Sequence, residues 1–228
     1  MTKITAHRGY HKHHPENSIP AFKAALELGA DRIELDVHET SDGIIFVNHD
    51  YVIETESGPT LAYNLKYEEI KNRFPTLEEV FIEISTKCEY EIEVKGLTEN
   101  FIKNILKLID QYKLNNLVEI TSSNLAVLHK IRSLNPTITI GQFFSKYEPR
   151  MPVELGEDLI LNSLKLSGFN VAHCPIGIVR RELLEKLRRE GFKLHVADCN
   201  LVEEMEFVIG IGVDQVSTDE LGVWLKKF

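Results

Sequence analysis

The sequence predicts an α/β protein built as one closed (β/α)8 TIM barrel, and three observations carry that expectation. Short runs rich in β-branched and aliphatic residues alternate with amphipathic helical patterns, which implies a parallel sheet with helices outside it. Eight such units can be traced, enough to close the sheet on itself. The 228 residues contain no repeat, linker or low-complexity break, and such a barrel needs about 250 residues. Residues 1–228 are therefore read as one domain, with 51–75 as a short insertion or lid.

Taken in order, Ile4 to His7 reads as a strand ending in His7-Arg8-Gly9. A loop carrying His11, His13 and His14 follows and is read as solvated, because loops at a barrel mouth vary freely. Asn17 or Ser18 can cap a helix whose first turn holds Pro20, where the missing N–H costs nothing, and Gly29 ends it. Arg32 to His38 is the second strand. The Asp42-Gly43 turn joins it to an extended run, Ile44 to Asn48. Residues 51–75 look polar and irregular, with a short helix around Tyr67 to Asn72. Thr76 then caps a helix, with Glu79 at capping-box spacing.

Regular alternation resumes from there. Strands are expected at Glu89–Lys95, Leu117–Thr121, Thr137–Phe144, Phe169–Ala172, Leu194–Asp198 and Asp214–Ser217. Helices are expected at Glu99–Tyr112, Leu125–Leu134, Gly156–Ser167, Arg180–Glu190, Leu201–Ile209 and from Asp219 to the end.

Composition narrows the function. A net charge of −9 makes non-specific nucleic-acid binding or docking on anionic lipid a poor prospect, so an anionic substrate must meet local positive charge or a metal. Cys88, Cys174 and Cys199 are widely spaced and include no CxxC pair, which argues for free buried thiols rather than a thiolate zinc site. No apolar leader and no window of about 18 apolar residues is visible. A cytoplasmic protein without stable membrane insertion is the expectation, its oligomeric state open.

The stretch IELDVHETSDGIIFVNHD, Ile33 to Asp50, concentrates the chemistry. Strand side chains alternate with period two, so Glu34 and Asp36 share one face and Ile33, Leu35 and Val37 the other. Two acids on the inner face of an apolar strand are costly to bury without a cation between them. In the third strand Glu91, Glu93 and Lys95 also share the inward face. Barrel chemistry sits at the C-terminal ends of the strands, and His7, Asp36 and Lys95 end strands one to three. Carboxylate-only ligation by Glu34, Asp36 and Glu93 suits a hard divalent cation, Mg²⁺ or Ca²⁺ and also Mn²⁺, better than Zn²⁺ or Cu²⁺. The competing reading is a buried salt-bridge network of these acids with Lys95 and Arg8, which by itself stabilises poorly.

The run AHRGYHKHHPENSIPAFKAALELGADRIELDVHETSDGIIFVNHD, with PTLEEV at 75–80, IEVK at 92–95 and GVDQVSTD near the end, resembles the glycerophosphodiester phosphodiesterase family. The resemblance spans nearly the whole chain and is densest in the first 95 residues. It implies a metal-dependent barrel that hydrolyses small-molecule glycerophosphodiesters to glycerol 3-phosphate and an alcohol. Residue by residue it implies Glu34, Asp36 and Glu93 as metal ligands, His7 and His49 as the general acid/base pair, and Arg8 and Lys95 as the positive groups around the phosphate. It also suggests that the nucleophile is the substrate's own glycerol hydroxyl, passing through a cyclic phosphate.

Two departures from the family pattern bear on specificity. The connection from His49 to Thr76 is short, which implies a more open mouth. On the seventh strand Ala197, Asp198 and Cys199 stand before Asn200, where the family tends to have an aromatic and a threonine. Asp198 would either favour a cationic alcohol such as choline or ethanolamine, or cap the next helix or pair with a loop residue. His38, two residues beyond Asp36, is a candidate substrate contact, and Glu16 is expected to orient its neighbours. The alternatives to a glycerophosphodiesterase are a lysophospholipase D-like barrel and a barrel that binds a phosphate ligand without turnover.

Overall fold

In the structure, a computed structural model that describes residues 1–227, eight parallel strands close into a barrel. These are β1 (Lys3–Ala6), β2 (Arg32–Glu39), β6 (Glu89–Val94), β7 (Val118–Thr121), β8 (Thr139–Phe143), β9 (Val171–Pro175), β10 (Lys193–Ala197) and β11 (Gln215–Thr218). Each pairs in parallel with its neighbour, and β1 pairs with both β11 and β2, which closes the ring. The remaining strands lie outside the ring. β3 (Ile45–Val47) runs antiparallel to the end of β2, with Val37 opposite Val47, and β4 (Val52–Thr55) pairs with β5 (Gly58–Leu61) in a separate hairpin.

Helices α1 (Ile19–Leu28), α3 (Leu77–Ile84), α4 (Glu99–Gln111), α5 (Leu125–Leu134), α6 (Val153–Ser167), α7 (Arg181–Arg189), α8 (Val202–Ile211) and α9 (Leu221–Lys227) surround the barrel, and α2 (Tyr67–Ile70) is a single turn. The caps form as the sequence implies. Ser18 Oγ accepts the N–H of Ala21 at the start of α1, and Gly29 ends that helix at φ 99°. Thr76 and Glu79 close a capping box on α3.

Three expectations are corrected. Residues 51–75 are not irregular: β4 and β5 form a hairpin, and Phe46, Ile53, Ala62, Leu65 and Ile70 build a small core beneath it. Tyr51, Val52, Leu61 and Tyr63 remain exposed there, so the segment lacks the one-sided alternation that marks a strand in sequence. Helix α6 starts at Val153, ahead of Gly156, and β9 runs on to Pro175. The other element ends shift by a residue or two, as frayed ends do.

The aliphatic faces of the strands pack against the helices in one continuous core that includes Ile33, Leu35, Val37, Ile92, Val94, Phe101 and Trp224. The inner faces are polar. Midway down the barrel Arg32 Nη2 lies 3.0 Å from Glu119 Oε2 and 3.7 Å from Glu91 Oε2. Gln215 Nε2 donates to Glu119 Oε2 at 3.2 Å, His173 Nε2 meets Glu119 Oε1 at 2.5 Å, and the His173 and His195 rings stack 4.1 Å apart. Gly141 makes room for this layer: a Cβ there would sit 2.4 Å from His173 Nε2 and 2.6 Å from Glu119 Oε1.

Burial lowers the His195 pKa well below the ordinary imidazole value, with the charge of adjoining His173 adding to it, so His195 is neutral. Burial also lowers His173, but Glu91 and Glu119 outweigh that and raise it. The ligating atoms of Glu91, His173 and His195 lie within 4.8 Å of one another. Arg32 and His173 already set positive groups against the Glu91 and Glu119 carboxylates within this layer.

Removing one member of a buried charge network exposes the rest to an uncompensated field. Arg32→Met is expected to destabilise the protein by about 3–5 kcal/mol, read as a lower midpoint in chemical denaturation. A change under about 1 kcal/mol would mean that Arg32 does not balance the carboxylates.

Candidate active site

Above that layer, β2 and β6 bring the acids together. Glu34, Asp36 and Glu93 offer carboxylate oxygens that all lie within 4.8 Å of one another. The register explains this: Asp36 is directly opposite Glu93, and Glu34 opposite Glu91, so the period-two faces of β2 and β6 align. Glu34 and Asp36 are almost fully buried. Burial and the charge of Asp36 push the Glu34 pKa well above the carboxylate range, the signature of too much negative charge in too little solvent.

Two cations lean on these acids. Lys95 Nζ is 3.0 Å from Asp36 Oδ1 and 2.8 Å from Glu93 Oε1. Arg8 Nε is 3.5 Å from Asp36 Oδ2, and the Arg8 backbone N–H donates to Glu34 Oε2 at 2.9 Å. Arg8 and Asn17 both take positive φ, 53° and 55°, which curls the loop so that backbone and side chains face the acids. Gly9, at φ 79°, packs so close to α1 that a Cβ would lie 2.8 Å from the Ala21 backbone. Asn17 holds Asp36 from both sides: its Nδ2 donates to Asp36 Oδ2 at 2.9 Å and its Oδ1 accepts the Asp36 N–H at 3.2 Å. Glu16 accepts from Arg8 Nη1 at 3.1 Å.

His7 follows β1 directly. Its Nδ1–H donates to Asp219 Oδ1 at 2.8 Å, and its Nε2 lies 4.0 Å from Glu34 Oε2. Burial lowers the His7 pKa, but the Asp219 hydrogen bond and the charges of Glu34, Asp219 and Asp198 outweigh it and raise the value to about 9. Burial opposes ionisation of Asp219, yet His7, His11 and Asn200 hold it far below the usual carboxylate range. Asn200 Nδ2 donates to Asp219 Oδ2 at 2.9 Å.

His49 stands beyond β3, half exposed, with Nδ1 2.9 Å from Asp50 Oδ1. Its loop is tied to the top of β2, where the Asn48 N–H donates to the Asp36 carbonyl at 3.0 Å. His38 is not at the surface. It is buried between Phe46 and Tyr51, with Nε2 3.2 Å from the His49 carbonyl, so it supports the His49 loop. His11 is not merely solvated either, since its Nε2 meets Asp219 Oδ1 at 3.1 Å.

The residues that sequence reasoning missed are Asp219, Asn17 and Asn200. Asn17 and Asp219 stood inside quoted motifs, PEN and STD, but nothing local to either says what it touches.

The family model described as the glycerophosphoryl diester phosphodiesterase family matches residues 7–223. The chain belongs to that family. It is 33% identical to the glycerophosphodiester phosphodiesterase of Caldanaerobacter subterraneus subsp. tengcongensis, with 96% of this chain and 94% of that protein covered. It is 25% identical to lysophospholipase D GDPD1 of Homo sapiens, covering 96% of this chain and 83% of that one. Among solved structures it is similar to an Oleispira antarctica phosphodiesterase in complex with the product sn-glycerol-3-phosphate, at 21% identity and TM-score 0.84, covering 99% of this chain and 96% of that one. That structural likeness is one of fold, the closed barrel with helices between its strands.

The His7–Asp219 pair has a pH signature. A raised histidine pKa contributes stability that is fully present below the unfolded value, near 6.5, and lost as pH rises through about 9. A depressed carboxylate contributes above its unfolded value, near 3.9, and loses that contribution as pH falls. Asp219→Asn is therefore expected to pull the His7 titration in the metal-free protein down from about 9, followed by imidazole NMR. The stability gap between wild type and variant should be widest between about pH 4 and 6.5 and close above the His7 pKa. A His7 pKa unmoved by the substitution would remove Asp219 from this role.

Proposed function

We propose that this chain hydrolyses glycerophosphodiesters to sn-glycerol 3-phosphate and an alcohol, with a divalent cation and a pair of histidines. The observation that carries the reading is the convergence of Glu34, Asp36 and Glu93, their ligating oxygens within 4.8 Å of one another, next to His7 and two cationic side chains. Family membership and the 33% identical relative named as a glycerophosphodiester phosphodiesterase support it.

The donor set fits a hard cation. Three oxygen donors, one of them with its pKa driven up by burial and by its neighbour, carry more negative charge than Arg8 and Lys95 offset. Mg²⁺ or Ca²⁺ suits such a set, and Mn²⁺ is accommodated by the same oxygens. When bound, the cation would supply positive charge against the non-bridging oxygens of the diester. Lys95 and Arg8 add to that charge. Arg8 Nε faces Asp36 Oδ2 at 3.5 Å without forming a hydrogen bond, and a guanidinium in this place suits a phosphate oxygen.

The proton roles follow from the surroundings of each imidazole. His7, hydrogen-bonded to Asp219 and near Glu34, is held protonated at neutral pH and is assigned as the general acid that protonates the departing alcohol oxygen. His49, half exposed in the loop beyond β3, is assigned as the general base that takes the proton from the attacking glycerol hydroxyl. The bond formed joins that hydroxyl oxygen to phosphorus, and the bond broken releases the alcohol. Water then opens the cyclic phosphate with the two roles exchanged. Asp219 orients His7 without touching the phosphate. Residues 51–75 are proposed as the lid, since the hairpin begins only three residues after His49.

A second substrate class has one observation in its favour. Tyr51, Val52, Leu61 and Tyr63 leave apolar surface exposed on that hairpin, beside His49, where the acyl chain of a lysophospholipid would find cover. No helix among the described residues is long and apolar enough to cross a membrane.

The test is release of glycerol 3-phosphate from glycerophosphocholine, with lysophosphatidylcholine assayed in parallel. EDTA is expected to abolish product and excess Mg²⁺ or Ca²⁺ to restore it. His7→Ala and His49→Ala should each lower kcat by about 10²–10⁴. Glu34→Gln or Asp36→Asn should raise the cation concentration needed for half-maximal rate. Turnover that survives chelator, or near-normal rates in both histidine variants, would defeat the assignment. Binding of glycerol 3-phosphate with no turnover of any diester would favour a phosphate-binding barrel instead.

A further inference from the structure

Asp198 follows β10 at the barrel mouth and, beyond its charge acting on His7, has no partner in the site described above. Its conformation is unusual, with φ 58°, in the left-handed region that non-glycine residues enter at some cost and that asparagine and aspartate tolerate best. The backbone is held there from one side. The Asp198 N–H donates to Ser217 Oγ at 3.1 Å, and the Cys199 N–H donates to the Ser217 carbonyl at 2.9 Å.

The residue is exposed, and among the described residues its carboxylate makes no hydrogen bond and no ion pair. The two ordinary explanations for an aspartate at this place both fail. It does not cap α8, because Glu204 Oε2 accepts the N–H groups of Asn200 and Leu201, each at 3.2 Å. It does not bind a loop cation either, because Arg8 and Lys95 are engaged by Glu16, Asp36 and Glu93.

The neighbourhood says which part of a substrate it would meet. In the ring, β10 stands next to β11 and β11 next to β1, so Asp198, Asp219 and His7 occupy consecutive positions along one arc of the rim. Glu34, Asp36, Glu93 and Lys95 hold the neighbouring arc, on β2 and β6. The negative charge of Asp198 reaches His7. An alcohol half bound on the His7 side of the phosphate lies over this acidic arc, with the Arg8 and Lys95 cations beside the phosphate.

We propose that the unpaired Asp198 carboxylate forms a cation subsite for the alcohol half of the substrate, selecting glycerophosphodiesters whose alcohol carries an ammonium group over those with a neutral polyol. The proposal rests on the phosphodiesterase reading above and adds to it a substrate class. A partly exposed carboxylate–ammonium pair is worth about 0.2–1 kcal/mol, so the expected effect is modest, screened by salt, and best read as a ratio.

The experiment compares kcat/KM on glycerophosphocholine and glycerophosphoethanolamine with that on glycerophosphoglycerol and glycerophosphoinositol, at low and high ionic strength. Wild type, Asp198→Asn and Asp198→Gly are compared. Both substitutions remove the charge, and both side chains accept the left-handed backbone. The cationic-to-neutral ratio is expected to fall by about two- to fivefold in each variant, with the difference shrinking in high salt. A ratio unchanged from wild type in either folded variant overturns the subsite while leaving the hydrolase reading in place. Failure of wild type to release glycerol 3-phosphate from all four diesters overturns the hydrolase reading and the subsite with it.

Discussion

Crowding of carboxylates at the top of two adjacent strands is the constraint on which the rest of this site depends. Glu34 and Asp36 are buried beside Glu93, and a buried charge loses its hydration and gains it back only from neighbours. The loop after β1 answers that need. Arg8 and Asn17 adopt left-handed conformations that a chain tolerates only where surrounding contacts hold them, and both turn polar groups toward the acids. Lys95, one residue beyond β6, does the same from the other side. On the function proposed above, a divalent cation would complete the balance and a phosphate anion would be drawn to the positive charge gathered there.

The barrel therefore holds two polar layers with different bookkeeping. In the lower one, Arg32 and His173 face Glu91 and Glu119, and Gln215 donates to Glu119 as well. Opposite charges meet within the protein, the residues are buried, and Gly141 yields its side-chain volume so that His173 and Glu119 can meet. In the upper layer acids outnumber the cations beside them, and the mouth is open. The contrast separates an internally paired ion network from the site proposed to take up a cation, even though both group acids with histidines nearby.

Much of this was legible in the chain. Helix caps at Ser18 and Thr76 rest on hydrogen bonds within a few residues, so their sequence signals held. The eight strands were found because each has one apolar face. The hairpin at 52–61 was missed because its outer face keeps Val52 and Leu61 exposed while the residues packed beneath it come from both sides of the segment. His38 looked like a substrate contact because its place in β2 puts it just past Asp36. Only the packing of Phe46 and Tyr51 around it turned it into a support for His49.

The amino-acid order alone determined what depends on neighbours in the chain: the alternation that makes a barrel, and the period of two that sets Glu34 with Asp36 and Glu93 with Lys95 on inward faces. Only closure of the ring decided the rest. Asp219 lies 212 residues from His7, and no local pattern links them; they meet because β11 pairs with β1. The same closure gave Arg32 its carboxylates and left Asp198 without a partner. A contact between distant residues is set by which strands become neighbours, and that is a property of the whole sheet rather than of any segment of it.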